Sequence, residues 1–164
     1  MPCRVGYFQR ADSGVYAIVR RHLPPGCELR TLEPHEKPEE VVGGLDFLIA
    51  GAASAALIAR APRLRLIQAP GVGYDKIDLA AARAAGVPVA ICQRGSAECV
   101  AEFTLLLMLA VSRRLVELHT SLREGRWLMW ERRLQSHELR GRTLGLVGLG
   151  RIGRAVAERA RAFG

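Results

Sequence analysis

Two glycine-bearing stretches hold the residue types and spacings whose chemistry is most direct. The first is Gly148-Leu149-Gly150-Arg151-Ile152-Gly153, a G-x-G-x-x-G spacing between the short apolar run Thr143-Leu144-Gly145-Leu146-Val147 and a helical stretch from Arg154 to Phe163. Gly148 permits a tight strand-to-helix turn. Gly150 lets backbone N–H groups approach a pyrophosphate with no Cβ in the way, and Gly153 lets the helix pack close to the strand. The helix start adds unpaired N–H donors and the positive end of a dipole. This is chemistry for holding the phosphates of a dinucleotide. The acidic residue that would bind the ribose is expected ~20 residues beyond Gly148, past Gly164, so NAD and NADP both stay open.

The second stretch is Gln68-Ala69-Pro70-Gly71-Val72-Gly73-Tyr74-Asp75-Lys76-Ile77-Asp78. Two glycines after a strand can form a nest of backbone N–H groups for an anion, or simply a tight turn into a helix. Asp75 and Asp78 read as turn and cap residues rather than as acids or bases. The four cysteines, Cys3, Cys27, Cys92 and Cys99, form no C-x-x-C pair and no metal-ligand spacing with the four histidines. No metal site is expected, and the thiols read as reduced and mostly buried.

These stretches need elements to hold them, and strand-like and helix-like pieces alternate from the start. Strands are expected at 4–8, 27–32, 46–50, 64–69 and 87–91. Helices are expected at 14–22 (capped by Ser13), near 36–43, from Ser54 to before Pro62, and over 79–85 after Asp78 and before the stop at Gly86. Five strands separated by helices imply a parallel sheet covered on both faces. From 97 to 119 there is no Gly or Pro and the middle is strongly apolar, which predicts one long helix buried in a core or against a partner. Residues 121–142 read as a polar connector whose Trp127 and Trp130 cover an apolar surface. A sixth strand is expected at Thr143. The reading is a sheet domain over 1–96, a helix over 97–120 and the beginning of a second domain over 121–164.

Composition agrees with a packed α/β chain: 49% hydrophobic, 24% charged and only 5% aromatic. The formal charge of +8 invites a nucleic-acid reading. However, of the 24 basic residues only Lys37 and Lys76 are lysines. The arginines are scattered along the length without interleaved aromatics, so no nucleic-acid partner is expected. The longest apolar run, Phe103 to Val111, is far shorter than the ~20 residues of a membrane span. No signal peptide precedes the first strand, and a cytoplasmic location is expected.

The stretch 68–78 resembles the G-x-G-x-D-x-I-D signature of the D-isomer-specific 2-hydroxyacid dehydrogenases. Three further matches follow in that family's order: Ala85-Gly86-Val87-Pro88-Val89, Val100-Ala101-Glu102, and Leu139-Arg140-Gly141-Arg142-Thr143-Leu144-Gly145 leading into the glycine turn. The resemblance implies a flavodoxin-like substrate domain followed by the start of a Rossmann domain. It implies hydride transfer between NAD or NADP and a small 2-hydroxy or 2-oxo acid. By the same resemblance, Val72 and Gly73 offer N–H groups to the substrate carboxylate. Thr104 faces the nicotinamide, or else bonds back to its own helix. Arg151 and Ile152 flank the cofactor, and Ser96 stands where the family commonly has Asn, close to substrate. Glu102 reads as structural.

The family's acid–base His, its partner Glu and its substrate-binding Arg come later than residue 164, so no catalytic residue is assigned within 1–164. His22, His35, His119 and His137 do not match the acid–base position. The expectation is therefore a fragment without turnover. The alternatives are a non-catalytic module that forms a homodimer through the long helix, or a phosphite- or formate-type dehydrogenase.

Overall fold

The computed structural model describes residues 2–9, 12–93 and 95–164. They form two compact units, residues 1–93 and 94–164.

The first unit is a five-stranded parallel sheet of β1 (Cys3–Tyr7), β2 (Cys27–Thr31), β3 (Phe47–Ile49), β4 (Leu66–Ala69) and β5 (Val89–Ile91), in the order β2-β1-β3-β4-β5. This is the flavodoxin-like order, which reverses direction between β1 and β3. Helices α1 (Ser13–His22), α2 (Pro38–Val41), α3 (Ala55–Ala59) and α4 (Leu79–Ala84) lie in the connections. The core is aliphatic, as the composition requires, with Val42, Leu48 and Ile67 at 0% exposure. The caps follow short polar side chains: Ser54 Oγ accepts from Leu57 N at 3.2 Å, and Asp78 Oδ1 accepts from Ala81 N at 2.9 Å. Gly86 closes α4 with a φ of 68°, a conformation that costs a residue without Cβ nothing. At α1 the cap is Asp12, which accepts from Val15 N at 3.0 Å, and not Ser13. The carboxylate one residue earlier reaches the same orphan donors, so Ser13 begins the helix instead.

Asp46 ties three strands together at their N-terminal ends. Its N–H donates to Arg4 O, its carbonyl accepts from Arg65 N, and its carboxylate accepts from Arg4 N and from Arg63 Nη2, both at 2.9 Å. These bonds, with the Arg63 and Arg65 charges, hold the Asp46 carboxyl below the usual carboxylate range.

The second unit corrects several expectations. The apolar stretch is not one helix. It divides into α5 (Ala97–Ser112) and α6 (Leu115–Arg123) at Arg114, whose φ of 52° is left-handed without being glycine. Arg114 Nε donates to Glu117 Oε2 at 2.6 Å, and the other Glu117 oxygen accepts from Arg132. The two guanidinium groups, Arg132 first, hold the Glu117 carboxyl low. This clamp stabilises a break that ordinarily costs about 1–2 kcal/mol for a residue with a Cβ.

Within this one chain the stretch is not enclosed. Ala101 alone is enclosed in α5, while Phe103, Leu106, Leu107 and Val111 are roughly half exposed or more. Trp127 and Trp130 are less covered than expected, at 61% and 65% exposed, and the Arg133 guanidinium lies over the Trp130 ring. The run 143–147 is no strand either. The one sheet among the described residues is that of the first unit, and a strand without a neighbour has no ladder to join. The thiols are less buried than expected: Cys3 and Cys27 are partly exposed, and Cys92 and Cys99 are exposed.

A depressed carboxyl pKa stabilises the fold above its unfolded value, and that contribution is lost as pH falls through the folded value. We therefore expect the stability advantage of the native chain over Asp46→Asn, read by urea unfolding, to be full near neutrality. It should shrink as pH falls below about 4, the ordinary Asp range. A pH-independent difference would contradict this role.

Candidate functional site

The glycine turn lies in the second unit, where Gly148 to Gly150 lead directly into α7 (Arg151–Ala160). Gly148 has a φ of 92°, which the tight turn requires. A Cβ built on Gly153 would fall well inside 3.0 Å of the Gly148 carbonyl oxygen, so that helix position admits only hydrogen. A Cβ on Gly150 would meet nothing within 4 Å. The space a ligand's phosphates would need is open at Gly150, while the turn is closed tightly behind it. No side chain caps α7. Among the described residues, the N–H groups of Gly150, Ile152 and Gly153 have no protein acceptor. Helix-start donors in this state bind anions.

Packing fixes where those donors point. Ala155 and Val156 of α7 bury against Ala101 of α5, with Ile152 packed alongside. Small residues allow the two helices to approach, and Arg159 bridges them by an ion pair with Glu98 and a looser one with Glu102 at 3.9 Å. Glu102 thus takes part in holding α5 and α7 together. Because the Ile152 side chain lies in this small cluster, what Ile152 can present to a cofactor is its N–H. Thr104 Oγ1 donates to Val100 O at 2.7 Å, the back-bonded arrangement; its oxygen lone pairs remain able to accept. Ser96 stands at the N-cap of α5 without a side-chain cap bond.

In the first unit, the loop after β4 carries Val72 and Gly73, both exposed. Its far end is pinned to the loop after β3: Ala53 N donates to Lys76 O and Asp78 N donates to Ala53 O. Its near end is pinned by Cys92 N donating to Gly71 O at 2.9 Å. Between these anchors, among the described residues, the N–H groups of Val72 and Gly73 have no protein acceptor. The loop lies at the C-terminal ends of the strands, where open α/β sheets bind ligands. Asp78 caps α4, as its position in the sequence implies. Sequence reasoning missed the two anchors, Ala53 and Gly71, because backbone bonds leave no residue-type signal. No group of three or more metal-ligating side chains exists among the described residues.

A strand-first sheet unit followed by a G-x-G-x-x-G helix start defines the nucleotide-linked α/β class. The family model described as "D-isomer specific 2-hydroxyacid dehydrogenase, NAD binding domain" matches residues 105–164. A glyoxylate reductase of Aeropyrum pernix is 44% identical over 115 residues, which is 66% of this chain and 34% of that protein. A hydroxypyruvate reductase of Thermotoga maritima is 37% identical over 143 residues, 84% of this chain and 46% of that protein. Among solved structures, the NAD-dependent formate dehydrogenase of Staphylococcus aureus in complex with NAD has a TM-score of 0.82 at 28% identity. That match covers 98% of this chain and 53% of the other. The chain belongs to the D-isomer-specific 2-hydroxyacid dehydrogenase family. It spans about half the length of the solved relatives it matches.

The two glycines separate structure from ligand contact. Gly153→Ala should break the turn, lowering the unfolding midpoint of the second unit and shifting the amide resonances of 148–153. Gly150→Ala, with open space around the new methyl, should leave both close to native, within about 0.5–1 kcal/mol. Equal effects from the two would contradict the packing described.

Proposed function

We propose that the chain carries the phosphate cradle and the carboxylate loop of an NAD-dependent 2-hydroxyacid dehydrogenase. The observation that carries this reading is the turn at Gly148–Gly153, tight at Gly153, open at Gly150 and followed by unpaired helix-start donors. These residues fit a pyrophosphate, and NAD is the cofactor favoured by the matched family model. NADP is the finer alternative.

When bound, the nicotinamide supplies or accepts the hydride exchanged with C2 of a small 2-hydroxy or 2-oxo acid. In this reading the N–H groups of Gly150, Ile152 and Gly153 hold the phosphates, with Arg151 adding positive charge beside them. The Thr104 oxygen borders the nicotinamide. The N–H groups of Val72 and Gly73 hold the substrate carboxylate, and Ser96 carries a hydroxyl able to make one hydrogen bond to substrate. No histidine falls in either loop, so residues 1–164 by themselves bind without turning over. The likeness to a formate dehydrogenase supports a second reading in which the acid is formate. The stripe Phe103, Leu106, Leu107 and Val111, left uncovered on α5, supports a homodimer.

Titrating the purified chain with NADH while following nicotinamide fluorescence should give saturable binding. Gly150→Val should weaken it at least about tenfold, which is ~1.4 kcal/mol, without unfolding the chain. A panel of 2-oxo acids with NADH, or formate with NAD, should show no protein-dependent turnover. Absence of binding would overturn the cradle, and turnover would overturn the assignment of no catalytic residue.

A further inference from the structure

The strongest unassigned chemistry lies in the first unit, away from both loops. Strands β1 and β2 run parallel with Cys3 opposite Cys27. Register partners send their side chains to the same face of a sheet, on strands about 4.7–4.9 Å apart. A disulfide needs Cα atoms about 4.4–6.8 Å apart and Cβ vectors that converge. A register pair on adjacent strands brings its Cα atoms within that span and sets both side chains on one face of the sheet. The pairing is held close by Cys3 N donating to Gly26 O at 2.9 Å. Both thiols are free and partly exposed, so a small reagent can reach them. β2 is the edge strand and its one neighbour is β1, so a bond here joins the edge of the sheet covalently to its interior.

We propose that Cys3 and Cys27 are a thiol pair that closes to an intramolecular disulfide by exchange with a small-molecule disulfide. One thiolate attacks a sulfur of the reagent, breaking its S–S bond, forming a mixed disulfide and releasing one small thiol. The second protein thiolate then attacks the protein sulfur of that mixed bond and releases the second small thiol. Two electrons pass from the cysteines to the reagent, and the two cysteine protons end on the released thiols. Hydrogen bonding with the Cys27 thiol, then burial, pushes the Cys3 thiol above its ordinary range. Cys92 and Cys99 are exposed and lie outside the strands of the sheet, so both are replaced in the test.

The test uses the full chain carrying Cys92→Ser and Cys99→Ser, treated with glutathione disulfide, quenched by alkylation and mapped with trypsin without reduction. The expected product is a monomer in which peptides 1–4 and 22–30 are disulfide-linked, with no glutathione retained. It should reopen with dithiothreitol, and its Tm should rise by at least about 5 °C, as closing a loop of this size implies. Adding Cys3→Ala or Cys27→Ala should leave a native circular dichroism spectrum and convert the product to a retained mixed disulfide. Retained glutathione on both cysteines of the parent, intermolecular dimers, or thiols that react only in urea would each overturn the proposal.

Discussion

The approach of Gly153 to the Gly148 carbonyl is the constraint on which the second unit turns. With no room for a Cβ there, the first turn of α7 sits directly against the loop that precedes it. The helix start is consequently fixed relative to Gly150, whose surroundings are open. Everything that aims α7 follows from small residues as well. Ala101, Ala155 and Val156 bring α5 and α7 together, and Arg159 bridges the two helices across to Glu98. A phosphate cradle made of backbone donors needs this kind of rigidity, because its N–H groups have no rotamers with which to adjust.

The sheet unit applies the same logic through hydrogen bonds. Asp46 gathers β1, β3 and β4 at their starts, and the Ala53 and Gly71 bonds hold the loop after β4 at their ends. Val72 and Gly73 lie on a loop anchored on both sides, and neither needs a charged side chain to attract an anion. Several arginines are engaged in ion pairs within the units. Arg30 pairs with Glu36, Arg63 with Asp46, Arg114 and Arg132 with Glu117, and Arg159 with Glu98.

Much of this was legible in the residues. Runs such as Asp46–Ala50 and Leu64–Ala69, punctuated by Ser54, Asp78 and Gly86, mark strands and helices through local preference alone, and the sheet follows them. The glycine turn was legible because each glycine answers a distinct steric demand. What local preference cannot show is a feature that depends on distant partners. The break at Arg114 has no Gly or Pro to announce it; it rests on Glu117 and on Arg132, fifteen residues further along. The run 143–147 has strand composition but no strand beside it. The apolar face of α5 and the two tryptophans read as buried because hydropathy reports a preference for burial, and the partner that would satisfy it is not encoded in the same stretch.

The central claim is that backbone donors at the start of α7 bind the cofactor's phosphates, and amide chemical-shift mapping tests it most directly. On titration of the isotopically labelled chain with NADH, the account predicts that the largest shifts fall on the amides of Leu149 to Gly153. Smaller shifts should follow along α5 near Thr104. Shifts absent from 149–153, or concentrated on another surface while those amides stay fixed, would contradict it.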